Sequence, residues 1–184
     1  ALAVLANAPH PMVRREALRV LRERGSTAML DQLLRDLETS SGSRRRALVN
    51  DLVAAGERRV VPVIARLLAD TTGAARFQLM RALGTLAAPA GIDPLLRIFR
   101  EPRHELRPQV DNLVYAARML SNIPAAAPRL MTLVAGEFAE DTERRYRCLA
   151  TLARIAGLER VGEEQRRRIT EFLLDYLADE EQDP

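Results

Sequence analysis

Lysine and tryptophan are absent from this sequence, and cysteine occurs once, at Cys148. A lone cysteine excludes an intrachain disulfide and any metal site built from several thiolates. Cys148 lies in an apolar helical pattern with Leu149 and Leu152, which reads as a buried, inert thiol. Four Phe and three Tyr are the only aromatic residues. Phe77, Phe99 and Phe138 fall at core positions, so few rings remain on which bases could stack. No alternating β-branched stretch and no Asn-Gly or Asp-Gly turn occurs, and nothing predicts a strand. The longest apolar runs are short and rich in Ala, which argues against a membrane-spanning helix. There is no phosphate-cradling glycine loop and no His-Glu-x-x-His motif. His10 and His104 fall in connections far apart along the chain. The residues therefore predict no catalytic set, no metal site and no cofactor.

What is present is aliphatic and helical. Nearly half of the 184 residues are apolar, mostly Ala, Leu and Val, which suits close helix packing. All 28 basic residues are Arg, a bias that genome composition alone would produce, and the formal net charge is only +3. The charge is uneven along the chain. Residues 1–100 carry 16 Arg and 9 acidic residues, and residues 101–184 carry 12 Arg and 16 acidic residues. This asymmetry predicts a polar binding surface.

The chain repeats itself. The segment from Ala82 to Phe99 reads as the end of one helix, a turn and a second helix, and its register recurs 31 residues earlier. Leu21, Leu52 and Leu83 form one series, Leu33, Ile64 and Leu95 another, and Leu37, Leu68 and Phe99 a third. Gly25 and Gly56 mark the turn inside the pair, and Ala87 takes the third place. The pattern predicts first helices at 12–24, 43–55 and 74–87 and second helices at 27–38, 58–69 and 91–100. Leu30, Leu33, Leu34 and Leu37 make a one-sided apolar stripe on the first of these second helices. Two looser units follow, marked by Ala116–Leu120 and Cys148–Leu152. Residues 1–8 read as the tail of a further pair, so the chain is expected to be a piece of a longer protein. The units are 1–8 (partial), 11–38, 42–69, 73–100, 106–139 and 142–179, about five helix pairs in a single domain.

The 31-residue pair, the Ala82-Leu83-Gly84-Thr85-Leu86 ending, the Val13-Arg14-Arg15 start and the Val61-Pro62 start resemble HEAT repeats. The chain is most similar to the short bacterial, armadillo-like HEAT repeats also found in bilin lyases. The likeness covers most of the chain and is strongest in residues 11–100. It implies an all-α fold, a right-handed α-α superhelix whose second helices line a concave face. It implies no chemistry, because such solenoids serve as scaffolds for many functions.

Two arginine series run through the register. Arg14, Arg45, Arg76 and Arg107 are spaced 31 apart at the starts of first helices. On a helical wheel Arg14 falls at the edge of the apolar face, so the series is expected to be structural, with each guanidinium reaching the turns between pairs. Asp70 and Glu101 are acids near those turns. Asp51 occupies the core-facing place held by Val20 and Ala82 and needs an internal ion pair with Arg. The second series, Arg35, Arg66 and Arg97, lies on second helices. Arg35 points about 150° from the centre of its apolar stripe, so packing does not require it there. These three are the candidate partner-binding residues, since a guanidinium grips carboxylate or phosphate in a bidentate way. The competing explanation is a solvated face held by i,i+4 pairs, Asp31 with Arg35 and Asp93 with Arg97.

The sequence thus predicts a non-catalytic scaffold that binds a protein, with an acidic segment as the natural ligand of the arginine row. Binding of nucleic acid along an Arg-lined groove is the alternative, and a lyase-type accessory role is a third. An exposed apolar stripe on the first helix predicts weak self-association. A cytoplasmic location is the expectation.

Overall fold

The computed structural model describes residues 2–6, 8–101 and 112–180. Among these residues the chain is all-helical, with no strand, and no helix is long and apolar enough to cross a membrane. Eleven α-helices follow in order. They are α1 (Leu2–Leu5), α2 (Pro11–Glu23), α3 (Thr27–Thr39), α4 (Gly42–Ala54), α5 (Val60–Asp70) and α6 (Gly73–Leu86), then α7 (Ile92–Phe99), α8 (Asn112–Leu120), α9 (Ala127–Ala135), α10 (Thr142–Ala156) and α11 (Glu163–Glu180). Short 3-10 turns at Pro89–Gly91 and Pro124–Ala126 precede α7 and α9. The six helices expected from the 31-residue register all form, with ends within about two residues of the expected ones, which is the usual fraying range.

The chain divides into two compact units, Ala1–Gly91 and Ile92–Pro184, with the boundary inside the expected pair 73–100. In the first unit, α2, α4 and α6 pack side by side, and α3 packs on α5. In the second, α8 packs on α7 and α10, and α10 packs on α9 and α11.

The recurrent apolar positions account for both cores. Leu21, Leu52 and Leu83 are buried, as are Leu33, Ile64 and Leu95 and, in the third series, Leu37, Leu68 and Phe99. Burying one such side chain is worth about 1.5–3 kcal/mol, so a register that repeats them stabilises each pair similarly. On α3 the stripe narrows to Leu30, Leu33 and Leu37, and Leu34 is only half-buried.

The turn inside the pair is also repeated. Gly25 and Gly56 have φ of 65° and 71°, in the left-handed region. There the amide of Ser26 reaches the carbonyl of Leu21 at 2.9 Å and that of Glu57 reaches Leu52 at 3.0 Å. This is the Schellman closure that satisfies carbonyls at a helix end. Ala87 takes the same left-handed conformation, with φ of 48°, and its amide bonds the Leu83 carbonyl at 3.2 Å. A β-carbon is disfavoured in that conformation, so Ala87 is a point of local backbone strain. Pro62 and Pro94 sit in the first turns of α5 and α7, where no intrahelical hydrogen bond is lost.

Candidate functional site

Of the first arginine series, Arg14 joins the turn before its helix to the neighbouring first helix. Arg14 is at the start of α2. Its Nη1 donates to the carbonyls of Ala8 and Pro9 at 2.9 and 2.8 Å, and its Nε donates to Asp51 Oδ2 at 2.7 Å. Arg15 Nε donates to the other Asp51 oxygen at 3.1 Å. Asp51 is 4% exposed on α4, so α2 and α4 are joined by a carboxylate held between two guanidinium groups. The internal pair expected for Asp51 forms. Arg14 does reach the turn between pairs, but it meets carbonyls there, and its acid comes from the next first helix. The carbonyls of Ala8 and Pro9 lie in the turn between helices, so no intrahelical hydrogen bond uses them. Arg45 is half-buried, and its Nε has no hydrogen-bond partner among the described residues. Arg76 is half-buried and engaged. Arg107 lies outside the described residues, as does His104.

Two arginines on α10 carry on this chemistry outside the 31-residue spacing. Arg145 donates to the carbonyl of Ala139, six residues earlier, as Arg14 does to Ala8. Arg144 donates through Nη2 to the Glu101 carbonyl at 2.9 Å and through Nε to that of Phe99. Its backbone amide is capped by Asp141 at 2.9 Å. Part of the Arg166–Arg168 run is likewise structural. Arg166 donates to the carbonyls of Ala156, Leu158 and Val161 at 3.0, 3.1 and 3.3 Å and closes the turn before α11. Arg167 and Arg168 are exposed.

The second series faces solvent, as the wheel argument requires. Arg35, Arg66 and Arg97 are all exposed, on α3, α5 and α7. Their partners differ from those expected. Arg35 bonds neutral Gln32 at 2.8 Å. Arg97 makes no side-chain hydrogen bond or ion pair among the described residues. Asp31 does not pair with Arg35, because Arg59, before α5, reaches it from the neighbouring helix at 2.9 Å. Asp93 does not pair with Arg97, because Arg129 of α9 takes it at 2.8 Å. Arg66 pairs with Glu38 of α3.

These pairs form an ionic zipper between second helices that the i,i+4 rule does not anticipate. In the first unit, Asp31 and Glu38 on α3 meet Arg59 and Arg66, and both acids and bases are seven residues apart. In the second unit, Asp93 meets Arg129, and seven residues on Arg100 meets Glu137 at 2.7 and 2.8 Å. The Arg100 guanidinium holds the Glu137 carboxyl below its ordinary value. Seven residues are two helical turns, which returns a side chain to the same flank. That spacing is the signal in the sequence by which Asp31 with Glu38 and Arg59 with Arg66 could have been found. Glu57 is buried beside the zipper, where Arg59 Nε binds it at 3.1 Å and the Arg59 amide at 2.9 Å.

The remaining reactive groups are built for packing. Burial pushes the Cys148 thiol up to about 12, with the charge of Glu137 adding to the effect. Phe99 and Phe138 are buried and stacked with centroids 6.3 Å apart. Tyr146 is 61% exposed, with the guanidinium of Arg147 over its ring at 5.6 Å. Among the described residues no three His, Cys, Asp or Glu side chains converge as a metal ion would require. No protein-family model matches the chain, and no curated protein matches it.

Proposed function

We propose that the chain is a HEAT-like helical-repeat scaffold, its pairs wound as a right-handed α-α superhelix, that binds a protein partner through its second-helix face and carries out no chemistry of its own. The acceptor is an acidic segment, and Arg35, Arg66 and Arg97 are the groups that grip it. The observation that carries this reading is the state of those three side chains. All are exposed, none is committed to a buried ion pair, and Arg97 has no partner among the described residues. The one pair in the series, Arg66 with Glu38, is solvent-exposed on both sides. Such pairs are worth about 0–1 kcal/mol, so an incoming carboxylate can replace Glu38 at little cost.

Affinity capture from source lysate tests the proposal, comparing wild type with the triple variant Arg35→Glu, Arg66→Glu, Arg97→Glu, each with and without nuclease. The expected result is a captured protein that resists nuclease and is lost in the variant, while helicity and melting stay as in wild type. Capture unaffected by the reversal would remove the arginine row from the proposal. Recovery of nucleic acid, lost at high salt, would replace the protein partner with a polyanionic one.

A further inference from the structure

The two rungs of the zipper in the first unit differ in how firmly they are held. At Asp31 the cation is Arg59, which is also tied to buried Glu57 through its side chain and its amide. That rung is anchored on two carboxylates. At Glu38 the cation is Arg66, and neither has a second ion-pair partner among the described residues. Both side chains are open to solvent, Arg66 at 63% and Glu38 at 43% exposure. A pair of this kind contributes little to stability, so an incoming anion can take the place of its carboxylate.

A second guanidinium stands beside the Glu38 rung. Arg35 is three residues before Glu38 on α3, and at that spacing two side chains start about 5–6 Å apart on one face of a helix. The place where Arg66 meets Glu38 is therefore within reach of Arg35 as well. The present partner of Arg35 is neutral Gln32, which also bonds Asp36 at 2.7 Å and keeps that bond when Arg35 turns away. Asp36, the other acid on this stretch of α3, is engaged by Gln32 and lies 3.5 Å from Arg44, which offsets its repulsion of an anion. Two guanidinium groups from adjacent helices thus stand beside one carboxylate. A carboxylate has two oxygens and one charge, which a single guanidinium satisfies. A phosphomonoester has three terminal oxygens and about 1.5–2 negative charges at pH 7, enough to engage both.

Resting on the second-helix face as the binding face, we infer that Arg35 and Arg66 form a clamp for a phosphorylated serine or threonine of the protein partner, with Glu38 holding the place of the phosphate until it is displaced. An unmodified acidic residue leaves one of the two guanidinium groups without an ion partner, and the phosphomonoester does not. A phosphodiester, with a single charge and two free oxygens, has the same shortfall as a carboxylate. Both arginines belong to the first unit, so the clamp is complete without Arg97.

Fluorescence anisotropy of the full chain with three pools of random-sequence peptides is the test. The pools differ only at the central residue, which is phosphoserine, glutamate or serine. Wild type should bind the phosphoserine pool at least about tenfold more tightly than the glutamate pool, and the serine pool more weakly still. Arg35→Gln and Arg66→Gln should each erase that preference, since one guanidinium then remains. Both positions are exposed, so circular dichroism should not change. Glu38→Gln should tighten binding of the phosphoserine pool severalfold, a gain that a merely structural Glu38–Arg66 pair would not produce. The NMR signals of the Arg35 and Arg66 Nε–H groups should shift together as the phosphoserine pool is added. Equal affinity for the phosphoserine and glutamate pools, lost in Arg35→Glu/Arg66→Glu/Arg97→Glu, would overturn the clamp and leave the acidic-segment reading standing. Failure to bind either pool would overturn both. The clamp also falls if Arg35→Gln keeps the full preference, if Glu38→Gln binds no more tightly, or if inorganic phosphate binds as tightly as the phosphoserine pool. Single-stranded DNA bound in preference to the phosphoserine pool would replace it with a phosphodiester site.

Discussion

Arg14 and Asp51 are 37 positions apart in the chain and 2.7 Å apart in the fold. Arg14 is the only described side chain that joins the turn before α2, α2 itself and the neighbouring α4 through one guanidinium. Asp51 sits where the flanking pairs place Val20 and Ala82. A carboxylate there is tolerated because Arg14 and Arg15 supply both of its oxygens with a donor. Removing one member of a buried pair is costlier than the pair is worth, since the other is left uncompensated. Asp51→Ala should destabilise the first unit by about 3 kcal/mol. Arg15→Ala, at a side chain 41% exposed, should cost less than about 1 kcal/mol. Urea denaturation of the three proteins checks the order, and an Asp51→Ala loss no larger than that of Arg15→Ala would show that the cluster is not desolvated.

Ala87 gives the opposite sign. It holds a φ of 48° at the place where Gly25 and Gly56 stand in the earlier pairs. Ala87→Gly should relieve the left-handed strain of about 1–2 kcal/mol, less the extra freedom Gly brings to the unfolded chain. The net gain should be about 1 kcal/mol, a rise in melting temperature of about 2–4 °C. Gly56→Ala should move the melting temperature down by a similar amount, because a β-carbon there finds space but not a favourable φ. A calorimetric scan of both variants decides it.

Cys148 is fully buried on α10 and its thiol is pushed up to about 12. In the native protein at pH 8 it should react with a thiol reagent at least about tenfold more slowly than in urea, because the thiolate is the nucleophile. The pH dependence follows in sign. The folded pKa lies above the unfolded value of about 8.5, so folding favours the neutral thiol. Its contribution is complete below about 8.5 and is lost as pH rises from there toward 12. Urea midpoints measured on either side of that threshold should fall more steeply for wild type than for Cys148→Ala. Equal slopes would place the thiol in contact with solvent.

Much of the helical arrangement could be read from the chain, because burial repeats with a fixed period. Leu21, Leu52 and Leu83 are equivalent in sequence and in burial, and the six helices of residues 11–100 end where Gly, Pro and Ser interrupt the apolar stripe. The outward direction of Arg35, Arg66 and Arg97 was legible for the same reason, since a helical wheel needs only the position of the core. Their partners were not. Local rules pair Asp31 with Arg35 and Asp93 with Arg97, whereas the fold brings Arg59 and Arg129 closer to those acids from adjacent helices. Arg144 and Arg145 were missed because the 31-residue register does not extend to them, although Arg145 makes the same carbonyl contact as Arg14.

The sequence by itself determined the secondary structure, the core positions and the need of Asp51 for a cation, all of which follow from helical period and the cost of burying charge. The tertiary structure alone decided which cation answers which anion. An ion pair depends on the distance between side chains on different helices, and neighbouring positions in the chain do not set that distance.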